Sequence, residues 1–310
     1  MESVTNAPFG RVLSAMVTPF DAAGRLDTDA AARLAVHLVD GCAHDGLVIS
    51  GTTGEAPTTT DAEQDALLRA VVEAVGDRAS IVAGVGTNDT AHSIELAKAA
   101  EAAGADGLLA VTPYYSKPPQ AGIIAHFRAI ADASSLPVML YDIPGRTATK
   151  LAAVTLATLA EHDRIVAVKE ASGDLYAGSW LMNQTDLVLY SGDDTLNLAW
   201  LALGAVGVVS VVGHLAGERY RHLVHAVDTG DLHTAREIER SLLPAVAAIM
   251  TRTQGVIMVK AALELQGHLA NRVVRSPLVE ASDLQVLELQ RDLIDAGLLE
   301  DEPAVADSLS

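Results

Sequence analysis

The chain alternates between two hydrophobic rhythms. Short apolar runs recur at 12–20 (VLSAMVTPF), 46–50 (GLVIS), 80–86 (SIVAGVG) and 107–113 (GLLAVTP). Four more follow at 137–144 (PVMLYDIP), 165–172 (IVAVKEAS), 187–193 (LVLYSGD) and 207–213 (GVVSVVG). Runs of this length, rich in β-branched residues and bounded by turn formers, predict strands. Their near-continuous apolarity predicts strands covered on both faces, as in a parallel sheet. Between them the pattern changes to helical spacing. TDAAARLAVHLVDG (28–41) opens on a Thr-Asp cap and stops at Gly41. DAEQDALLRAVVEAVGD (61–77), NDTAHSIELAKAAEAAG (88–104) and TLNLAWLALG (195–204) repeat the polar start and glycine end.

Strand then helix, eight times over, is the signature of βαβ units and an α/β fold. Eight units in about 215 residues fit a (β/α)8 TIM barrel, for which roughly 250 residues is typical; a doubly wound open sheet is the rival. After the eighth unit the β rhythm stops. GERYRHLVHAVDTG can complete the barrel, and the helical stretches after it form a C-terminal extension. The expected organisation is a barrel over 1–230, carrying the active site, and a helical extension over 231–310, with no Pro/Ser-rich linker between them.

Half of the 310 residues are hydrophobic (50%), enough for a large core. The net charge of -19 argues against nucleic acid and against anionic membrane surfaces as partners. It also requires that any site for an anionic substrate be locally electropositive. Cys42 is the one cysteine, so no intrachain disulfide can form and a reducing compartment is expected. Met1-Glu2 opens no basic, apolar leader, and the longest apolar run, LAWLALGAVGVVSVVG, is interrupted by glycine and too short to span a bilayer. A cytoplasmic location follows. HExxH, CxxC and a Walker loop are absent, GVGTN lacks the GxGxxG form, and His222 and His225 read as a surface pair. No metal or organic cofactor is expected.

Barrel chemistry sits at the C-terminal ends of strands. Those ends here carry SGTTGEAP (50–57), TPYYSKPP (112–119), YDIPGRT (141–147), Lys169 and SGDD (191–194). Lys169 lies inside an otherwise buried strand, where an unpaired ammonium is costly. It is either a paired structural lysine or a nucleophile that needs a dry pocket. Strand alternation sets it on one face with Ala167 and Ala171, and sends Glu170 to the other, which makes Glu170 a poor partner. At an ordinary pKa only about 1 lysine in 2,500 is neutral at pH 7. Desolvation raises that fraction and permits attack on a carbonyl to form a Schiff base. Tyr141 and Tyr115, with Thr52 or Thr53 as hydroxyl partner, can relay the protons such chemistry moves. GTTGE offers closely spaced N–H groups that suit a carboxylate. Arg146 suits a second carboxylate, captured through two hydrogen bonds.

GTTGE, TPYY, YDIPGRT, VKEASGD and SGDD, in this order and spacing, resemble the dihydrodipicolinate synthase family, among the pyruvate-dependent class I aldolases that include N-acetylneuraminate lyase. The likeness runs from about residue 10 to 300. It implies that Lys169 forms the imine with pyruvate and that Tyr141 relays protons over it. It implies that Thr52 links Tyr141 to Tyr115, and that Tyr115 reaches into a neighbouring subunit. The active unit would then be a homo-oligomer, a dimer of dimers. Thr53 would hold the pyruvate carboxylate, Gly192 and the carbonyl near Val209 would line the pocket, and Arg146 would bind the carboxylate of aspartate 4-semialdehyde. The implied activity is 4-hydroxy-tetrahydrodipicolinate synthesis, a step towards diaminopimelate and lysine. An aldolase or dehydratase for a 2-keto-3-deoxy sugar acid, and a non-catalytic keto-acid binder, stand as alternatives. Lysine-inhibited members use histidine and glutamate side chains in an interface pocket. Ala56, Pro57, Asp61, Gln64 and His92 occupy those places here, beside Asn88 and Tyr114. The lost carboxylate at 92 implies weak or absent feedback by lysine.

Overall fold

The structure, a computed structural model, describes residues 7–301. Each apolar run forms a strand. They are β1 Val12–Ala15, β2 Gly46–Ile49, β3 Ser80–Gly84, β4 Gly107–Val111, β5 Val138–Asp142, β6 Ile165–Glu170, β7 Val188–Ser191 and β8 Gly207–Ser210. Neighbours pair in chain order, and β1 also pairs with β8 in parallel, so the sheet closes. Closure removes every edge strand and rules out the open doubly wound sheet.

The helices are α1 Thr28–Val36, α2 Asp61–Val75, α3 Thr90–Ala102, α4 Gln120–Asp132, α5 Pro144–Thr147, α6 Ala153–Leu159, α7 Leu175–Gln184, α8 Asn197–Leu203 and α9 Gly213–Asp228. Beyond the barrel lie α10 Leu232–Val246, α11 Gly255–Leu265 and α12 Asp283–Asp295. A side-chain cap marks six of these twelve starts. Thr60 and Glu63 form a reciprocal capping box at α2, and Asp89 caps α3. The cap of α1 is Asp27, one residue before the expected Thr-Asp pair; its carboxylate accepts from Ala30 N at 2.9 Å. Helices α4 and α6 lack both a side-chain cap and a glycine end, so the polar-start rule does not mark them. Packing of their apolar faces holds them instead.

Alternation divides the core into two shells. Leu13, Val48, Val82, Leu109, Met139 and Ala167 fill the barrel. Val12, Leu47, Ile81, Leu108, Leu140 and Val168 pack outward under the helices. Phe9 and Tyr190 close the N-terminal end, where the Tyr190 hydroxyl donates to Gly10 O at 2.9 Å. The opposite end stays polar, and it carries the site. The turn at Thr229 and Gly230 leads into α10, and the extension packs on α9. Of the two units expected from sequence, the limits at residues 1 and 310 lie outside the described residues.

Candidate active site

Strands β5 and β6 set Tyr141 and Lys169 side by side in register. Lys169 is 5% exposed, and its Nζ lies 4.3 Å from the centre of the Tyr141 ring. Glu170 points outward as alternation requires: its carboxylate accepts from Ser172 N at 2.9 Å and Gly173 N at 3.3 Å. The carboxylate that acts on Lys169 is Asp194, through space and without a hydrogen bond. Asp194 is spent on a cradle of its own. It accepts from Asn197 Nδ2 at 2.9 Å, Val211 N at 2.8 Å, Val212 N at 3.0 Å and the Ser210 hydroxyl. The structure therefore does not support the reading of Lys169 as a paired structural lysine.

Burial pushes the Lys169 amine down to about 8; the Asp194 charge opposes the shift and the Arg146 charge adds to it. At pH 7 a group of that pKa is neutral in about 1 molecule in 11, some two hundred times the ordinary fraction. Burial pushes the Tyr141 phenol the other way, up to about 12, against the pull of Arg146 and the Thr52 hydroxyl. Tyr141 is therefore a protonated donor across the neutral range. Gly192 makes room for the lysine: a Cβ there would lie 2.7 Å from Lys169 Cγ. Val209 faces the barrel interior from β8, with 1% exposure.

A cleft of about 360 Å³ opens beside Tyr141, bordered by Thr52, Ile143 and Arg146. It runs outward past Gln64, Asn88, His92 and Tyr114. Lys169, Thr53, Gly192 and Val209 do not border it; Tyr141 is the side chain common to the cleft and the lysine's surroundings. Lys150 pairs with Asp174, but Arg146 makes no ion pair among the described residues and is exposed at the cleft rim. It is thus a local positive charge in an acidic protein.

After β2 the chain turns through Gly51–Glu55, with Gly54 N donating to Gly51 O at 3.1 Å and Glu55 N to Thr52 O at 3.1 Å. Among the described residues the N–H groups of Thr52 and Thr53 meet no acceptor. Two adjacent free donors form the kind of concavity that receives an anion. Tyr115 is not brought to this group within one chain. It is 88% exposed, and Tyr114 borders the cleft in its place. Its φ of 71°, like the 48° of Lys117, is left-handed, which is uncommon for a non-glycine residue. No three His, Cys, Asp or Glu side chains are grouped to hold a metal ion among the described residues.

The Dihydrodipicolinate synthetase family model matches residues 8–296. The chain belongs to the dihydrodipicolinate synthetase family. It is 62% identical over 291 residues to the 4-hydroxy-tetrahydrodipicolinate synthase of Kineococcus radiotolerans, covering 94% of each chain. It is 60% identical over 298 residues to that of Acidothermus cellulolyticus, covering 96% of each. Its fold superposes with a TM-score of 0.91 on the crystal structure of dihydrodipicolinate synthase from Cyanidioschyzon merolae with lysine bound, at 42% identity, covering 95% of this chain and 100% of that one. The chain is an enzyme of this synthase family, and the barrel is the family's barrel.

The SGDD motif by itself gives Asp194 no task, and its cradle of two backbone N–H groups and two side-chain donors is visible only in three dimensions. It also passed over Glu55 and Lys260, which meet in the fold at 2.6 Å across 205 positions of chain.

Proposed function

We propose that the protein condenses pyruvate, held as an imine on Lys169, with L-aspartate 4-semialdehyde. The observation that carries this reading is a buried amine with no carboxylate bound to it, lying 4.3 Å from the ring of a protonated tyrosine. Neutral Nζ adds to the keto carbon, and loss of the carbinolamine oxygen as water leaves the imine. Loss of a proton from the methyl carbon gives an enamine, which attacks the aldehyde carbon; the amine of the semialdehyde then adds to the regenerated imine carbon, and expulsion of the Lys169 amine releases the cyclic product. Tyr141, with Thr52 beside it, supplies and recovers protons at the keto-derived oxygen. The free Thr52 and Thr53 N–H groups and the Thr53 hydroxyl receive the pyruvate carboxylate. Arg146 takes that of the aldehyde, and Gly192 and Val209 shape the pocket. Borohydride reduction with pyruvate, alongside a substrate panel that includes aspartate semialdehyde, tests the reading. A reduced adduct at Lys169 and turnover of the semialdehyde are expected. Turnover of a 2-keto-3-deoxy sugar acid instead would transfer the site to the alternative aldolase, and no adduct would leave a keto-acid binder.

Imine formation requires the neutral amine, so the pH profile carries the lysine's pKa. At low pyruvate the trapping rate should climb about tenfold per pH unit below 8 and level off above it. A rate still climbing at pH 10 would show an ordinary, solvated lysine.

The exposure and left-handed backbone of Tyr115 support a role in a neighbouring copy of the chain, hence a homo-oligomer assembled as a dimer of dimers. The turn at Gly230 supports a barrel over 1–230 and an extension over 231–310. No helix among the described residues is long and apolar enough to cross a membrane. The single buried cysteine fits a cytoplasmic setting. In the outer cleft the carboxylate lost at 92 has a counterpart at Asp61, whose oxygens lie 3.0 and 3.1 Å from His92 Nε2. That carboxylate is already engaged by His92, so feedback by lysine is expected to be weak or absent. Half-inhibition of the purified enzyme by sub-millimolar lysine would refute it.

A further inference from the structure

The Gly51–Glu55 turn holds its shape at a cost. Ser50 and Glu55 both have φ of 55°, a left-handed backbone that costs a non-glycine residue about 1–3 kcal/mol. Such residues persist where the surroundings over-determine them. For Glu55 the surroundings come from the C-terminal extension. Lys260 of α11 donates to Glu55 Oε1 at 2.6 Å, and both side chains are 1% exposed. Arg275 N donates to Glu55 Oε2 at 2.8 Å, and Lys260 Nζ also donates to Val273 O at 2.8 Å. Lys260 Nζ and Arg275 Cζ both lie over the Phe20 ring, at 4.2 and 4.3 Å. The Arg275 guanidinium then ties down the rest of the connection. It donates to Thr58 O at 2.8 Å and to both oxygens of Glu63, at 2.9 and 2.6 Å. Glu63 is the capping-box residue of α2, and its carboxyl is held down to about 2, first by the Arg275 hydrogen bonds.

Two carboxylates and two cations thus fasten both ends of the β2–α2 connection to one stretch of the extension. A buried ion pair is weak evidence of stabilisation, because desolvation offsets the attraction. What it does impose is geometry: a charge that cannot leave its partner fixes the backbone that carries it. Three residues before Glu55 begin the free N–H groups of Thr52 and Thr53.

We propose that Glu55, clamped by Lys260 and Arg275, is a positioning residue that aims the Thr52 and Thr53 N–H groups at the keto acid's carboxylate, so that the extension sets pyruvate affinity from outside the barrel. This rests on the site reading above. None of the three clamp residues touches the reacting atoms. The expected signature is therefore a change in pyruvate affinity, with the chemistry at Lys169 preserved.

The test compares wild type, Glu55→Gln and Arg275→Lys in borohydride trapping at varied pyruvate, with circular dichroism to confirm the fold. Glu55→Gln keeps shape and acceptor but removes the charge. The pyruvate concentration for half-maximal trapping should rise about tenfold, while the maximal trapping rate stays within about threefold of wild type. Arg275→Lys, which keeps the charge but loses the fork to Glu63, should shift it less, in the same direction. An unchanged half-saturation in folded Glu55→Gln would overturn the proposal. So would loss of the fold in this mildest variant, because a fold-wide effect is what a merely structural pair produces. Failure of wild type to trap pyruvate at Lys169 would instead remove the underlying site reading. Normal wild-type trapping with an unshifted variant would remove this proposal alone.

Discussion

Lys169→Met is expected to abolish pyruvate trapping, to lower turnover at least about a thousandfold, and to melt at a higher temperature than wild type. The first two follow from removing the nucleophile, the kind of change that costs several kcal/mol of transition-state stabilisation. The third follows from linkage. The folded-state pKa is about 8, below the unfolded value of 10.5. Between those values the unfolded chain binds more protons than the native one, so native stability rises with pH across that window. Below it, at neutral pH, the full penalty of burying the ammonium is present, on the order of 3 kcal/mol. Methionine keeps the stem that fills the space beside Gly192 and carries no charge to desolvate. A gain of several degrees at pH 7, shrinking towards pH 10, should appear in thermal melts. Retained turnover would contradict the assignment of the nucleophile. A variant that melts lower at pH 7 would show that the ammonium is stabilised by a partner in the native state.

Arg146→Ala is expected to separate the two substrates. The guanidinium borders the cleft, pairs with no carboxylate among the described residues, and lends its charge to both Tyr141 and Lys169. Charge-assisted hydrogen bonds to a carboxylate are worth about 1.5–3 kcal/mol, so kcat/KM for aspartate semialdehyde should fall by about 10- to 150-fold. Pyruvate trapping should change far less, because that carboxylate is received by the Thr52–Thr53 turn. The lysine pKa should rise slightly once a neighbouring cation is gone, moving the trapping profile towards higher pH. Equal losses for trapping and for the semialdehyde would show that Arg146 serves the first substrate or the fold, and would leave the aldehyde without an assigned anchor.

Much of this was legible without coordinates. Period-two alternation around Lys169 placed it opposite Glu170, because a strand offers only two faces. The eight apolar runs were legible because buried parallel strands tolerate few polar positions. The polar starts of α2 and α3 were legible because helix initiation is local, settled within four residues of chain, although the α2 cap itself is Thr60, one residue before the stretch read as helical. Other features could not be read that way. Helices α4 and α6 are held by what they pack against, and the placement of Tyr115 depends on a left-handed backbone that no pattern of residue types announces.

By itself the sequence determined the βα repeat, the facing of the lysine and the family, since each rests on local periodicity or on residues close together in the chain. Only the tertiary structure decided that the sheet closes, and that the carboxylate near Lys169 is Asp194, already engaged by two backbone N–H groups and two side-chain donors. It alone showed that Glu55 is gripped by residues more than two hundred positions away. Those facts belong to distances between remote segments, which chain closure and packing set and which residue order along a line does not contain.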